Sequence, residues 1–247
     1  MSSKQRLDQH LVDLKHFPSR ARARDAILRG TVQVNGTPCL KPAQKIAETA
    51  QISVADPAAG YVSRAALKLI AGLDSFGVDV SDRICLDIGA STGGFTQVLL
   101  ERGAASVHAI DVGHDQLHET ISADARVRRS DGLNARELTL ADLDGNHPEI
   151  LVSDVSFISL KLALPPALDL AAPAAAGVFL VKPQFEAGRD NIGKGGLVDP
   201  DIAEETAQNL QEWLAAVPGW SAGDLVLSPV KGGDGNAEWL LYGRKDS

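Results

Sequence analysis

The spacing of apolar positions changes period several times along the chain. Leu7, Leu11 and Leu14 recur at helical spacing and are expected to face a core. Pro18-Ser19 ends that segment and offers Ser19 as the cap of a second helix over residues 20–29, which Gly30 stops. Val32 and Val34 then alternate up to Asn35-Gly36, a strong signal for a two-residue hairpin, and Ile52 and Val54 add another strand. Asp56-Pro57-Ala58-Ala59-Gly60 reads as a linker. Helical spacing returns over residues 63–76, with Leu67, Ile70 and Leu73 on one side. Beyond it, strand-length apolar runs alternate with helical stretches. The strands begin near Ile84, Val107, Val127, Ile150, Val178, Leu225 and Trp239. That alternation predicts an α/β fold, a Rossmann-like seven-stranded sheet that is mostly parallel and flanked by helices, preceded by a small α+β unit. Ligands of such sheets bind beyond the carboxyl ends of the strands, where Asp87, Asp111, Asp154 and Lys182 fall.

Composition narrows the class. With 247 residues, 44% of them apolar, the chain can build one large domain and a small extra module. No run approaches the ~18 apolar residues of a membrane span, and the polar, basic start lacks a signal-peptide core. Cys39 and Cys85 fall in different units, which points to a reducing cytoplasm, and no His or Cys pair has zinc-ligand spacing, so no metal is expected. The net charge of −8 is uneven: residues 1–60 carry +4 and residues 61–247 carry −12. A basic head on an acidic body suits contact between the head and a polyanion.

Within the large unit lies a glycine-rich turn, Asp87-Ile88-Gly89-Ala90-Ser91-Thr92-Gly93-Gly94-Phe95-Thr96. A dinucleotide fingerprint needs glycine at 89, 91 and 94, but position 91 is Ser, so close approach of backbone to a pyrophosphate is disfavoured. S-adenosylmethionine (SAM) has no pyrophosphate and needs room for a ribose and a charged amino-acid tail. The candidate cofactor residues are Asp87, Gly89, Ala90, Ser91, Gly93, Gly94 and Phe95, with Asp111 for the ribose hydroxyls and Asp131-Gly132 toward the adenine. The turn by itself indicates only a nucleoside site.

The helix, arginine-rich helix and hairpin over residues 4–55 resemble the S4 RNA-binding domain, from Arg6-Leu7-Asp8 to Val32-Gln33-Val34-Asn35-Gly36. The resemblance implies a grip on structured RNA through phosphates and shape, because A-form grooves resist side-chain readout. Arg6, Arg20, Arg22, Arg24 and Arg29 are its candidate RNA contacts; Arg20 and Arg24 share one side of the helix, Arg22 and Arg29 another. Tyr61-Val62-Ser63-Arg64-Ala65-Ala66-Leu67-Lys68-Leu69 resembles the opening helix of FtsJ/RrmJ-type 2′-O-ribose methyltransferases, and the glycine-rich turn their SAM loop. Val152-Ser153-Asp154-Val155-Ser156-Phe157-Ile158-Ser159, Val181-Lys182-Pro183-Gln184-Phe185-Glu186-Ala187-Gly188, Gly193-Lys194-Gly195-Gly196 and Gly235-Asn236-Ala237-Glu238 are similar to the TlyA branch, whose members are often labelled haemolysins. The motifs occur in the branch's order over nearly the whole chain. Ala59-Gly60-Tyr61-Val62 departs from the arginine- and tryptophan-bearing linker of some relatives.

The resemblance implies an S4 unit over 1–56, a linker over 57–62 and a methyltransferase unit over 63–247. It also implies a catalytic tetrad of Lys68, Asp154, Lys182 and Glu238, and 2′-O-methylation of cytidine in ribosomal RNA or ribosomal subunits, by a cytoplasmic monomer. Singly, each exposed Lys or Glu would read as a solvated charge; Asp154 and Lys182 stand out because both end apolar strands. Lys182, desolvated and near Lys68, is the expected proton acceptor, Asp154 its opposing partner, and Glu238 an orienting group. Residues 184–197, rich in glycine, are expected to form a lid, with Arg189 or Lys194, and Arg64 on the opening helix, near RNA phosphate. Phe157 and Phe185 are expected near the site, Trp213 and Trp220 in the core. Three rival readings are an S4 module on a catalytically dead SAM-binding domain, a haemolysin, and a small-molecule methyltransferase. Intact acidic and lysine positions oppose the first, the lack of membrane-like segments the second, and the basic head the third.

Overall fold

The computed structural model describes residues 4–247; Met1 to Ser3, at the head of the expected RNA-binding unit, lie outside the described residues. The chain divides into two compact units, Met1–Gly60 and Tyr61–Ser247.

In the first unit β1 (Lys4–Arg6) leads into α1 (Leu7–Asp13), followed by α2 (Arg20–Leu28), β2 (Val32–Val34), β3 (Thr37–Pro38), β4 (Lys45–Ala47) and β5 (Ile52–Val54). Ser19 caps α2 by accepting the Arg22 N–H at 3.3 Å, satisfying one of the donors a helix start leaves over. Leu7, Leu11, Ala23, Ala26, Ile27 and Val32 form the core. Leu14 does not join them. The helix stops at Asp13, and Leu14, as its C-terminal cap, is 49% exposed. β2 pairs with both β3 and β5, while β1 pairs with β4. β1 and β4, three residues each, carry too little pattern to be read from sequence.

The second unit is a seven-stranded sheet with helices on both faces. Its strands are β6 (Ile84–Ile88), β7 (Ser106–Asp111), β8 (Val127–Asp131), β9 (Ile150–Ser153), β10 (Ala176–Val181), β11 (Trp220–Leu227) and β12 (Trp239–Lys245). The order is β11-β12-β10-β9-β6-β7-β8, all parallel except β12, which runs antiparallel to both β10 and β11. Side chains alternate between two cores. Cys85, Val107, Val178 and Leu240 face α3 (Ala66–Phe76), α4 (Gly94–Glu101) and α5 (Glu119–Ser122). Leu86, Ile110, Phe179 and Leu241 face α6 (Leu160–Ala163), α7 (Pro165–Leu170) and α9 (Pro200–Ala215). Trp220 is buried in the second core and donates its indole N–H to the Leu168 carbonyl at 3.2 Å.

Two local expectations change. The opening helix starts at Ala66 rather than Ser63, whose Oγ instead accepts the Ala65 N–H in a preceding turn. Its buried stripe is Ala66, Leu69, Gly72 and Leu73; Leu67 and Ile70 are only half-buried. A Cβ at Gly72 would lie 2.7 Å from Val178 Cγ1, so glycine there lets α3 approach the sheet closely. This rotation also turns Lys68 inward, to 5% exposure. Residues 184–197 are not a structureless loop: α8 (Pro183–Glu186) is followed by 3-10 turns at Arg189–Asn191 and Lys194–Gly196. Among the described residues no helix is long and apolar enough to cross a membrane.

Candidate active site

Chain order reverses between β6 and β9, which are neighbours although β7 and β8 lie between them in sequence. Strand ends diverge at such a switch and leave a crevice. The loops after β6 and β9 meet there. Asp154 N–H donates to Ile88 O at 3.1 Å, and a Cβ on Gly89 would lie 3.0 Å from Val155 Cγ1 and 3.2 Å from Asp154 O. Gly89 has φ +83°, so both backbone hand and lack of space call for glycine.

Beneath this turn Asp87 is fully buried and accepts the Thr96 hydroxyl at 2.7 Å, leaving Oδ1 without a partner. Burial pushes its carboxyl up to about 7, against the Thr96 hydrogen bond. Asp111, at the end of β7, accepts the Ser91 N–H at 2.8 Å and the Gly113 N–H at 2.7 Å, tying the turn to the next strand.

Three cavities converge on the crevice. The first, about 530 Å³, lies between the ends of β6, β7 and β9, and its lining includes Gly89, Asp111, Asn134, Arg136 and Val155. The second, about 150 Å³, is lined by Gly89 to Thr92, Gly94, Phe95, Ser63 and Lys182 among others. The third, about 550 Å³, holds Lys68, Lys182, Phe185, Gly233 and Glu238 in its wall, together with Arg64. Asp154 and Ser156 line all three.

At that junction Lys182 Nζ lies 2.6 Å from Asp154 Oδ1, a contact off the line of a hydrogen bond, and donates to Ser156 Oγ at 2.8 Å. Lys68 and Glu238 form a second, deeply buried ion pair. Burial pushes the Glu238 carboxyl up, and the Lys68 ammonium pulls it back. Lys68, Asp154, Lys182 and Glu238 thus surround one cavity, brought from α3 and the ends of β9, β10 and the loop before β12. Phe157, 90% exposed with φ +65°, meets Phe185 at 5.1 Å between ring centres on the cavity rim.

Other expected residues sit elsewhere. Asp131 and Gly132 do not line the 530 Å³ cavity; Leu133 to Arg136, on the turn just beyond, do. Asp131 is occupied by Arg129 and the Asp115 N–H, which hold its carboxyl down to about 2. Gly93 caps α4 behind the turn, where a Cβ would strike Leu117. Arg189 and Lys194 are exposed, and their neighbours Ile192 and Gly196 line the third cavity instead. Asn134, Arg136 and Gln116 were not readable in the sequence, since no strand-end signal marks them.

In the first unit the arginines divide by side. Arg6, Arg20 and Arg24 line a groove of about 430 Å³ with Pro42 and Ala43. Arg6 and Arg20 both bind Asp8, at 2.7 and 3.2 Å, and their hydrogen bonds, Arg6's first, hold that carboxyl down to about 2. Arg22 and Arg29 turn the other way. Arg22 donates to Ala58 O at 3.1 Å, and Arg29 grips Asp25 and, at 2.8 Å, the buried Asp56.

Comparison with known proteins agrees with both units. Residues 61–245 match the FtsJ-like methyltransferase family and residues 5–52 the S4 domain. The 16S/23S rRNA (cytidine-2′-O)-methyltransferase TlyA of Mycobacterium tuberculosis is 41% identical over 98% of this chain and 90% of its own length. Hemolysin A of Brachyspira hyodysenteriae is 40% identical over 96% of this chain and 98% of its own. A hemolysin-named solved structure from Streptococcus thermophilus superposes with a TM-score of 0.77 at 38% identity, covering 100% of this chain and 90% of that one.

Proposed function

Since this chain belongs to the TlyA family of S4-headed, FtsJ-like methyltransferases, we propose that it uses SAM to methylate the 2′-hydroxyl of a cytidine in ribosomal RNA. The observation that carries the reading is the junction. Asp154 and Ser156 belong to the walls of two cavities beside the glycine turn and of the cavity holding both lysines, so donor and acceptor can meet across them.

The residues present fit the cofactor. Gly89, a position a Cβ would crowd, opens the crevice, and the lining from Gly89 to Phe95 suits the amino-acid tail. Asp111 keeps a second lone pair on each oxygen for ribose hydroxyls, and the Asn134–Arg136 turn borders the adenine end. Asp87 and Gly93 shape the turn from behind. When bound, the cofactor supplies a methyl group already activated on sulfur.

The chain's own residues then align the sugar oxygen and take its proton. Lys182, held between Asp154 and Ser156, points to the junction and in its uncharged form accepts the hydroxyl proton as oxygen attacks. Asp154 orients that amine. The Lys68–Glu238 pair fixes the far wall, with Glu238 orienting the hydroxyl. The Phe157–Phe185 pair offers an apolar face on which an unpaired base can stack. The head over 1–56, joined through 57–62 to the catalytic unit over 63–247, docks folded RNA chiefly through Arg6, Arg20 and Arg24, while Arg64 faces the incoming strand. Arg189 and Lys194 are close enough in sequence to the wall to meet flanking phosphates. The natural substrate is a ribosomal subunit or its RNA, met in the cytoplasm by a monomer.

Tritiated methyl transfer to ribosomal particles, followed by ribose-methylation mapping, tests this. Transfer to cytidine 2′-oxygen in the RNA of the small subunit, the large subunit or both is expected, with loss in Lys182→Ala while calorimetric SAM binding persists. Binding of SAM without any transfer would instead leave an RNA-binding protein with a silent cofactor site, and a Lys182→Ala enzyme of near wild-type rate would remove that residue's role.

A further inference from the structure

Asn236 is 3% exposed, and both the oxygen and the nitrogen of its side chain are bonded to backbone groups of a different segment. Its Oδ1 accepts the Val198 N–H at 2.9 Å and its Nδ2 donates to the Gly196 carbonyl at 2.8 Å. These two bonds fix the amide orientation, since only this one matches donor to acceptor. Its own backbone is locked as well: the Asn236 N–H donates to Asp234 Oδ1 at 3.2 Å, and its carbonyl accepts the Gly232 N–H at 2.9 Å.

The two segments joined in this way form one wall of the cavity that holds the two lysines. Ile192 and Gly196 come from the first segment, Gly233, Asp234 and Glu238 from the second. Gly232 packs so closely on Glu238 that a Cβ there would lie 2.8 Å from Oε1. Neither cavity beside the glycine turn includes Asn236, Gly196 or Val198 in its lining.

We propose that Asn236 is a positioning residue that bolts the glycine-rich segment to the strand-entry loop and so sets the substrate-facing wall around Glu238, governing turnover rather than cofactor capture. The inference rests on the methyltransferase reading above. A buried amide with two backbone partners cannot be replaced by solvent, and a shift of about 1 Å in a reacting group lowers turnover by about 100-fold. The wall moves with the bolt, while the donor side stays where β6, β7 and β9 put it.

The experiment uses the full chain with ribosomal particles, comparing wild type, Asn236→Ala and Asn236→Asp. The Asp variant keeps size and the bond from Val198 but cannot donate to Gly196. Expected are a kcat lower by about 100-fold in Ala and about 10-fold in Asp, with KM for particles and calorimetric SAM affinity within about twofold of wild type. Amide hydrogen exchange at Val198 should accelerate in Ala and not in Asp. Unchanged kcat in both variants, or SAM affinity falling in step with kcat, overturns the inference while leaving the methyltransferase reading intact. A wild-type enzyme that binds SAM but transfers no methyl group overturns the reading, and the inference with it.

Discussion

Severing the buried pair between Lys68 and Glu238 separates its structural weight from its chemical one. Their side chains are 6% and 2% exposed, so deleting either partner strands a charge where water cannot reach it. Such a loss costs about 3–5 kcal/mol, whereas replacing both partners with apolar groups of similar volume is often close to neutral. At about 2–4 °C per kcal/mol for a domain of this size, Lys68→Met or Glu238→Leu should each lower the melting temperature by roughly 10 °C. The double variant that joins Lys68→Met to Glu238→Leu should recover most of that loss. Thermal and guanidinium unfolding of the four proteins gives the cycle, and methyl transfer measured on each gives the other axis. The stable double variant should remain inactive. Single variants that each lose less than about 1 kcal/mol would show a pair worth no more than an exposed one. A double variant no more stable than the worse single would show that packing, not stranded charge, sets the loss.

Arg29 and Arg24, five residues apart on one helix, should fail in opposite ways. Arg29→Ala should cost about 2–3 kcal/mol through the buried Asp56 yet leave RNA affinity nearly unchanged. Arg24→Ala should spare stability and lower the salt slope of RNA binding by about 1, and the reverse pattern would contradict the division of the helix into two faces. Phe157→Ala should lower turnover by about 10- to 100-fold, since stacking is worth about 1–3 kcal/mol per base, with unfolding free energy changed by less than about 0.5 kcal/mol; intact turnover would remove the stacking role. Asp87 makes stability depend on pH. Because burial raises its carboxyl from 3.8 to about 7, the folded chain holds that proton more tightly than the unfolded one. The stabilising contribution is complete below about pH 4 and lost as pH rises through 7, at most about 4 kcal/mol. Denaturant titrations should show this fall, flattened in Asp87→Asn, and an unchanged slope in that variant would assign the effect elsewhere.

The sheet was legible where a strand is a short apolar run bounded by turn residues, as in Ile84–Ile88 and Ala176–Val181; Val127–Asp131, with Arg128 and Arg129, carries a weaker signal. That the sheet is mostly parallel was legible through the alternation with helices; the order of its strands was not. Other features depend on contacts that spacing cannot encode. Lys68 and Glu238 meet across 170 positions, and only their place in family motifs marked them beforehand. On the opening helix Leu67 and Ile70 outrank Ala66 and Gly72 in hydrophobicity, so spacing predicts a stripe that shares only Leu73 with the buried one, while close approach to Val178 favours the small residues. In sequence Arg29 reads as a phosphate ligand, because Asp56, which holds it, lies 27 residues on. Strand-end acids are the visible signal and point to Asp131-Gly132 for the adenine end; Asn134 and Arg136 reach the cavity from a 3-10 turn that has no such mark.

The wedging of β12 between β10 and β11 makes the stretch after Lys182 indispensable to the sheet. A nonsense or frameshift allele that interrupts translation after Lys182 still encodes every residue of the two cavities beside the glycine turn. It nevertheless removes Glu238 and leaves β10 as an uncovered apolar border, open to pairing with other chains. Such a product should accumulate as aggregate instead of surviving as a cofactor-binding remnant.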